Sequence, residues 1–370
     1  MNQRKVFLTA GILLCLTWIA GAAGQKALSA LKGDVRYLDR ENLSLEKKFG
    51  WAQKEFQKSD KEGFFLTGYR FLSRERMRLC GDRKLDEPIR VTVKGDKIKV
   101  RTDYFTEKDR ESYESERGSS PAGLVFLQKI TGKTAEIRDI HFLDLDRTYE
   151  FAEQPIFWLG DADNDESLDF LEDRLIKSAR KVRDSIVFSI YLHDHPQIGK
   201  RLYDIACGKY EIGVRENAVF WIGNLKGAQS LTYLKKIYKD EGDTEVREQV
   251  VFALYLNESE EALRELIEIA KNEENRSLRK NAVFWLGQKA SAECIDVLKD
   301  MVDETDEDDD VRESAVFAIG QLPKDEAVPM LIDIAKTNKS PKVRKQAMFW
   351  LGQTGDDRAL KFFEQILLKK

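Results

Sequence analysis

The stretch VRENAVFWIG, residues 214–223, decides the fold of most of this 370-residue chain. Close copies open at residues 151, 182, 246, 278, 311 and 343, so that successive copies lie 31 to 33 residues apart. A regular period of this length is typical of stacked structural repeats. A second stripe of apolar residues, spaced three and four apart, follows each motif, as in residues 231–238 and 328–335. This spacing marks one face of a helix, so each repeat is predicted to be a helical hairpin.

Residues that favour helix N-termini precede several copies. They stand three positions before the motif and are Asp243, Asn275, Asp308 and Ser340. Such side chains accept hydrogen bonds from the open amides of a first helical turn. Pro341 follows Ser340 at the first helical position, where a missing N–H costs little. Because one hairpin cannot bury its apolar face alone, we predict that seven hairpins stack into an α-solenoid over residues 151–370.

Residues 25–150 lack the repeat motif, have a different pattern of apolar and charged residues, and are predicted to form a small α+β domain. Residues 26–58 contain helical stretches, and residues 89–101 alternate apolar and charged residues around a Lys-Gly-Asp turn, which predicts a hairpin. Further strands are predicted at 63–72, 124–130 and 137–143. Residues 106–120 are rich in charge and lack aliphatic side chains, so we expect a mobile loop there.

The N-terminus carries the pattern of a secretory signal. Arg4 and Lys5 precede an apolar run over residues 6–23 that ends in small residues. We therefore predict that residues 1–24 are a signal peptide, cleaved near residues 22–24, and that the protein is periplasmic or secreted. The alternative is an uncleaved anchor, because the run is just long enough to span a bilayer. After cleavage no membrane insertion is expected.

Composition limits the partners and the chemistry. The net charge is −4, the pI is about 5.8 and basic residues are mixed with acidic ones along the chain, so no nucleic-acid partner is expected. The widely spaced Cys80, Cys207 and Cys294 do not form a disulfide framework. We expect Cys207 and Cys294 to be small buried residues.

The repeat motif resembles the HEAT-like repeats named after the phycobilisome lyases. Their pattern, Val-Arg-x-x-Ala-x-x-Ala-Leu-Gly, is matched by residues 214–223 and 311–320. The resemblance covers residues 151–370 and implies an α-solenoid whose concave surface is lined by the motif helices. It does not imply one activity, because these repeats occur in many unrelated binding proteins.

The motif also predicts a binding surface. With its Val as position 0 and about 100° per residue, positions 0, 4, 7 and 8 share a core-facing arc. Position 6 lies outside that arc and is phenylalanine in every copy: Phe157, Phe188, Phe220, Phe252, Phe284, Phe317 and Phe349. Carboxamides occupy position 3 (Gln154, Asn217, Gln249, Asn281, Gln346) and position 10 (Asn224, Gln288, Gln321, Gln353).

A phenylalanine column flanked by carboxamides is suited to hold an extended segment of another protein. Carboxamides donate to and accept from peptide groups, and phenylalanine rings offer apolar contact area. The alternative is that the rings pack between neighbouring repeats and the amides cap or bridge helices.

Two more columns are predicted to be structural. Position 7 alternates large and small residues, running Trp158, Ser189, Trp221, Ala253, Trp285, Ala318 and Trp350. We expect each tryptophan to overlie the small residue of the next layer, which gives a packing period of two repeats. Position 1 is arginine in most copies, and we expect these arginines to pair with carboxylates of adjacent repeats. The alternative is an anion-binding ladder.

Metal sites and catalysis are not predicted. His193 and His195 read as part of a polar turn rather than as metal ligands. Residues 161–172 carry acids at EF-hand-like positions, but Glu166 stands where that loop requires glycine. No nucleophile elbow, phosphate loop or Cys-His pairing is present, so we predict no enzyme activity, cofactor or metal.

We therefore expect an exported scaffold that binds a protein or peptide on the concave face. The alternative implied by the resemblance is a lyase or isomerase acting on a tetrapyrrole (bilin). The secretory signal counts against it, because that chemistry is intracellular in the family.

Overall fold

A computed structural model describes residues 30–38, 42–59, 62–79, 88–101, 113–225, 227–304 and 309–368. The chain divides into two units, residues 1–198 and residues 199–370. The predicted signal segment, Cys80, Asp308 and residues 106–112 lie outside the described residues.

A mixed sheet forms the centre of the first unit. Its strands are β1 (Leu31–Tyr37), β2 (Gly63–Leu79), β3 (Ile89–Lys94), β4 (Lys97–Arg101), β5 (Tyr113–Thr131), β6 (Thr134–Asp144) and β7 (Tyr149–Asp161). The order within the described residues is β4-β3-β7-β2-β5-β6, and β1 also pairs with β7. Strands β1, β2 and β3 run parallel to β7, while the β3–β4, β2–β5 and β5–β6 pairs are antiparallel.

Strand alternation gives the sheet two buried faces. One face carries a mostly aliphatic hydrophobic cluster to which every strand contributes; Leu66 and Leu127 belong to it, together with the aromatic Trp158. The other face is aromatic: Tyr69 stacks on Phe126 with ring centroids 5.6 Å apart. Helix α1 (Leu45–Ser59) covers this second face with its own buried Phe49, Ala52 and Phe56. Burial on both sides makes the sheet the core of this unit.

Most predicted strands of the first unit are confirmed, and two local predictions are wrong. The hairpin at residues 89–101 turns at Gly95, whose φ is +60°. Of residues 26–58, predicted to contain helical stretches, residues 45–58 lie in α1, whereas residues 31–37 form β1 and pair with β7. Residues 113–120, expected in a mobile loop, extend β5 and pair with the distal part of β2. In both cases pairing with a strand that is distant in sequence stabilises the strand conformation, which the local sequence preference does not favour.

The motif copy at residue 151 is not a helix. Residues 151–161 belong to β7, where Phe157 is wholly buried and Trp158 is 3% exposed. Pro155 occupies the interior position at which the other copies have alanine or another residue with an N–H, and proline disrupts a helix there. The pairing of β1 with β7 shifts register just before Ile156, which accommodates this proline. The first helix of the first predicted hairpin is therefore replaced by a strand, residue 150 lies within that strand, and a helix follows over Asn164–Lys177.

Two helices of the first unit pack against the sheet. They are α2 (Asn164–Lys177) and α3 (Arg180–Leu192), and α3 carries the motif copy at residue 182. The hydroxyls of Tyr69 and Ser167 lie 2.8 Å apart, and Ser167 Oγ lies 2.7 Å from His193 Nε2. His193 Nδ1 lies 2.7 Å from the carbonyl oxygen of Ser189. These buried hydrogen bonds join β2, α2 and α3.

The second unit is helical throughout its described residues. Its helices are α4 (Ile198–Ala206, which begins at the boundary), α5 (Ile212–Asn224), α6 (Ala228–Asp240), α7 (Thr244–Leu256), α8 (Glu260–Asn272), α9 (Arg276–Lys289), α10 (Ala292–Asp303), α11 (Asp309–Gly320), α12 (Lys324–Thr337), α13 (Pro341–Thr354) and α14 (Asp357–Leu368). The motif copies form α5, α7, α9, α11 and α13, which pack side by side, and the even-numbered helices from α6 onward complete the hairpins. The stack of helical hairpins is confirmed over this unit.

The predicted N-caps are confirmed where the structure describes them. Asp243 accepts from the amide of Glu245, and Asn275 accepts from two amides of the first turn of α9. Ser340 accepts from the amide of Val343, with Pro341 at the start of α13. Across the described residues, none of the helices combines the length and the apolar character that crossing a bilayer requires.

Candidate functional site

The buried face of a motif helix is wider than the sequence pattern indicates. In α5 the buried residues are Val214, Ala218, Val219, Ile222 and Gly223. They occupy motif positions 0, 4, 5, 8 and 9, which at about 100° per residue span an arc from 0° to about 180°. Position 6, at about 240°, lies opposite this arc. Position 7, at about 340°, lies at its edge.

The phenylalanines at position 6 are therefore partly exposed in the second unit. Phe220, Phe252, Phe284 and Phe317 are half-buried, and Phe349 is 53% exposed. The predicted partial exposure is confirmed for these five residues. Together with the half-buried Trp221, Tyr255, Trp285 and Trp350, they form a surface that we call the aromatic strip.

Ring contacts connect the aromatic strip from α5 to α13. Phe220 stacks on Phe252, and Phe284 stacks on Phe317, each with ring centroids 6.1 Å apart. Trp285 joins these two pairs, with centroids 4.6 Å from Phe252 and 4.8 Å from Phe284. Trp350 lies 4.9 Å from Phe317 and 5.1 Å from the Phe349 ring. The rings thus form a continuous row across five motif helices.

The packing at position 7 differs from the predicted one. Ala253 lies against Gly223, and Ala318 lies against Gly287, so that small residues meet small residues. Trp285 instead stacks on Tyr255, with centroids 4.7 Å apart. In the second unit Trp221, Trp285 and Trp350 are half-buried and not interior, because position 7 lies at the edge of the buried arc. Their alternation still gives a two-repeat pattern, since Trp285 and Trp350 cover the phenylalanines of the tryptophan-free repeats.

The two remaining phenylalanines of the predicted column lie in the first unit. Phe157 is wholly buried in β7. Phe188 in α3 is half-buried and stacks on Tyr191, with centroids 6.4 Å apart. Phe157 is therefore a core residue, and its assignment to an exposed column is wrong.

The carboxamides fall into three groups. Gln288, Gln321 and Gln353 are exposed at the C-terminal ends of their motif helices. Asn224 donates to the carbonyl oxygen of Phe220 in its own helix, at 2.9 Å, which is the capping role given above as the alternative. Those at position 3, namely Asn217, Gln249, Asn281 and Gln346, are half-buried.

Asn281 is the position 3 carboxamide of α9, beside the aromatic strip. Its Oδ1 atom is buried and has no hydrogen-bond partner among the described residues. An unsatisfied buried acceptor costs about 1–3 kcal/mol. This side chain is therefore retained at a cost to the fold.

A shallow cavity opens beside the aromatic strip where α9, α11 and α13 meet. Its volume is about 220 Å³, and its lining residues are Lys280, Asp310, Glu313, Ser314, Phe317 and Gln346. It offers one aromatic ring surrounded by polar and charged groups. A single apolar side chain with a polar neighbour is the type of group that such a depression accepts.

The arginines at position 1 hold successive layers together. Arg215 donates to the carbonyl oxygen of Ala206 at the end of α4 and forms an ion pair with Glu241 after α6. Arg312 is buried and donates to the carbonyl oxygen of Val302 and to Asn338. Arg215 and Arg247 pair with carboxylates, but Glu241 and Glu273 belong to the same repeat as the arginine and not to an adjacent one as predicted. Other arginines of this column donate to backbone carbonyls.

Arg247 belongs to the best-defined polar cluster of the second unit. It lies 2.7 Å from Glu273, and its guanidinium lies 4.4 Å from the ring centroid of Tyr238. Tyr238 donates to the same carboxylate at 2.5 Å. Burial of Glu273 opposes its ionisation, but hydrogen bonds from Tyr238, the Asn275 amide and Arg247 outweigh this effect and lower its pKa.

A group of carboxylates that the motif pattern did not predict lies beside the aromatic strip. We call it the acidic patch, and its members are Glu216, Asp243, Glu245 and Glu248. Glu216 and Glu248 each precede a phenylalanine of the strip by four residues, so they lie one helical turn from the rings. Burial, followed by the charges of Glu245, Asp243 and Glu248, raises the pKa of Glu216. The sequence does contain an indication of this patch, because motif position 2 is glutamate in both of these repeats.

The sequence-derived metal candidates have structural roles. His193 is wholly buried in the network with Ser167, and His195 lies 3.1 Å from Asp165. In the residues 161–172, Asp161 pairs with Arg70 and Asp163 caps α2. No group of three or more His, Cys, Asp or Glu side chains is placed to hold a metal ion in the part of the chain that the structure describes.

Of the two cysteines in the second unit, Cys294 is buried, as predicted, but Cys207 is exposed. Cys207 directly follows the end of α4, where the buried stripe of that helix has ended. Its assignment as a buried residue is therefore wrong. Both thiols are free.

A comparison with known protein families identifies the repeat. The family of HEAT repeats matches residues 199–284 and 303–370. No curated protein sequence matches the chain.

Two solved structures resemble parts of the chain. The complex of CpcE and CpcF of phycocyanin lyase from Nostoc sp. PCC7120 is 18% identical, with a TM-score of 0.31, over 41% of this chain and 96% of that one. Human deoxyhypusine hydroxylase in complex with glycerol is 15% identical, with a TM-score of 0.25, over 56% of this chain and 91% of that one.

Proposed function

We propose that this HEAT-repeat protein is an exported, non-enzymatic scaffold that binds an extended segment of another protein along the aromatic strip. One observation carries the proposal. The five motif helices of the second unit each present a phenylalanine to solvent at the position opposite their buried arc. A stable helix does not need an apolar side chain at that position, and contiguous exposed apolar surface usually marks a contact site.

The spacing of the rings supports an extended occupant. Packed helices lie about 10 Å apart, and three residues of an extended chain cover about 10 Å. A segment that crosses the motif helices therefore presents about one side chain in three to successive repeats. We infer from the resemblance to HEAT-like repeats that this row of helices lines the concave side of the stack, an arrangement that lets one continuous segment reach every ring.

The polar groups beside the rings support recognition of a peptide backbone. Gln288, Gln321 and Gln353 are exposed and recur at the same end of three successive motif helices. Each carboxamide can donate to a carbonyl oxygen and accept from an N–H of the occupant. Hydrogen bonds of this kind orient a segment, while the rings supply apolar contact area.

The proposal is tested by removing the rings. Alanine at Phe220, Phe252 and Phe284 together should leave the helical circular dichroism unchanged and should abolish partner capture. The matched control is Phe363→Ala, which removes an equally half-buried ring from α14, on the other row of helices.

Partner capture is best measured by site-specific photo-crosslinking in the native envelope. A crosslinker at residue 252 should yield a defined adduct that disappears in a chain that also carries alanine at Phe220 and Phe284. A crosslinker at residue 363 should not yield that adduct. If the triple variant unfolds, the rings are core residues and the proposal fails.

A further inference from the structure

The charges beside the aromatic strip are distributed unevenly. The acidic patch lies at the N-terminal ends of α5 and α7, next to the stacked Phe220 and Phe252. Within the described residues none of its four carboxylates forms an ion pair. Glu248 accepts a hydrogen bond from Ser277 at 2.7 Å, and Asp243 caps α7.

Two carboxylates at the start of α11 are neutralised by basic side chains. Asp310 lies 3.3 Å from Arg276, and Asp309 lies 3.5 Å from Lys342 and 3.6 Å from Arg312. Motif position 2 is glutamate in α5, α7 and α11 (Glu216, Glu248 and Glu313) and lysine in α9 and α13. Glutamates in two adjacent motif helices therefore occur at the α5 end of the aromatic strip and make that end acidic, whereas lysine and glutamate alternate farther along.

Helix N-termini favour carboxylates, so one or two of these residues are expected on that ground alone. The acidic patch has more carboxylates than this stabilisation of helix N-termini explains, and not all of them lie in the first helical turn. Glu216 and Glu248 lie in the second turn of their helices, on the side that carries the rings. Like charges crowded on a surface repel one another, and an opposite charge supplied by a partner relieves that repulsion.

We propose that the occupant of the aromatic strip is an extended segment with apolar side chains about three residues apart and a run of Lys or Arg at the end that lies on α5 and α7. This inference rests on the proposed function and adds the chemistry and the direction of the bound segment. The rings hold the apolar side chains, and the acidic patch holds the basic end. Steering by the patch should also make association dependent on salt.

The length of the segment follows from the geometry. Four steps of about 10 Å separate α5 from α13, a distance that an extended chain covers in about 12 residues. The basic run adds a few residues beyond Phe220. A shorter segment would contact only part of the strip and would bind more weakly.

Synthetic peptides test the inference on the full-length protein. The probe is a peptide of about 12 residues with leucine at every third position and serine or proline between. Three versions carry a terminal run of lysine, serine or glutamate, each placed at either terminus. Binding is measured by fluorescence anisotropy of a terminal label at low and high salt.

The lysine version should bind the wild-type protein about tenfold more tightly than the serine version at low salt, equivalent to about 1.4 kcal/mol. The glutamate version should bind more weakly still. High salt should remove most of these differences.

The charge-reversed variant Glu245→Lys/Glu248→Lys should invert the order of the lysine and glutamate versions and leave the serine version unchanged. The matched control, Glu260→Lys/Glu268→Lys, makes the same change in net charge on the exposed surface of α8. It should leave all three affinities unchanged.

The outcomes separate the two proposals. Equal binding of the lysine and serine versions at low salt, or equal effects of the two charge-reversed variants, overturns the inference and leaves the proposed function standing. If the serine version fails to bind, and the lysine version does not depend on Phe220, Phe252 and Phe284, the strip is not a docking site and both proposals fall.

Discussion

Two glycines set how closely the motif helices approach one another. A Cβ atom added to Gly223 would lie 2.8 Å from the Cβ of Ala253, and one added to Gly287 would lie 2.7 Å from that of Ala318. These contacts are closer than side chains tolerate, so only glycine permits this spacing. Gly352 holds the same motif position in the last repeat and has open space around it.

Substitution by alanine should therefore act in opposite directions at these sites. Gly223→Ala forces α5 and α7 apart and should lower the free energy of unfolding by about 1–3 kcal/mol. Gly352→Ala meets nothing and should raise it by up to about 1 kcal/mol, because alanine favours the helix. Urea denaturation of the two variants measures both values. A loss of stability in Gly352→Ala would contradict the explanation.

At the residue scale, the sequence predicted the columns but not all their environments. The phase of the motif and the caps at Asp243 and Asn275 were correct, because they depend on local chemistry. The half-buried environment of Trp285 was not predicted correctly. Neighbouring helices on both sides widen and rotate the buried arc of each motif helix, and a single helix considered alone does not show this effect. The acidic patch was missed for a similar reason: its members come from two helices and are brought together by stacking.

At the scale of elements, proline decided where the repeats begin. Residues 151–160 match the motif at phenylalanine, tryptophan and glycine, yet they form β7. Pro155 is a local signal against a helix, whereas the 31-residue spacing to the next copy of the motif favours one. The strand that forms agrees with the local signal. The β5 extension over residues 113–120 had no such signal, since its strand character comes from pairing with β2.

The link between α7 and the end of α8 should depend on pH. Because the pKa of Glu273 is lowered from its ordinary value of 4.5, its charged form stabilises the fold. This contribution is complete above pH 4.5 and is lost as the pH falls through the lower pKa of the folded state.

Replacing this carboxylate should expose that dependence. Glu273→Gln should cost about 1–2 kcal/mol at neutral pH, because it weakens the hydrogen bonds from Arg247 and Tyr238. The difference from wild type should shrink in acid below pH 4.5. Urea denaturation over a pH series measures it, with Glu274→Gln, an exposed neighbour, as the control. A difference that stays constant with pH would show that the cluster acts through packing alone.

At the scale of the whole molecule, the remaining prediction concerns export. Residues 1–24 have the charge and apolar pattern of a secretory signal. The mature protein should be recovered outside the cytoplasm with a new N-terminus near residue 25. N-terminal sequencing of fractionated cells measures both. A variant with leucine at Ala20 and Ala22 should be exported but remain uncleaved, since the peptidase requires small residues there. Recovery of the intact chain in the cytoplasm would contradict export.

The aromatic strip has an optical consequence. Three of the six tryptophans of the chain, Trp221, Trp285 and Trp350, lie half-buried within it. Indole emission shifts to shorter wavelength when water is displaced from the ring, and collisional quenchers lose access at the same time. The molecule thus carries its own unlabelled reporter of occupancy, centred on the surface where an incoming segment would lie.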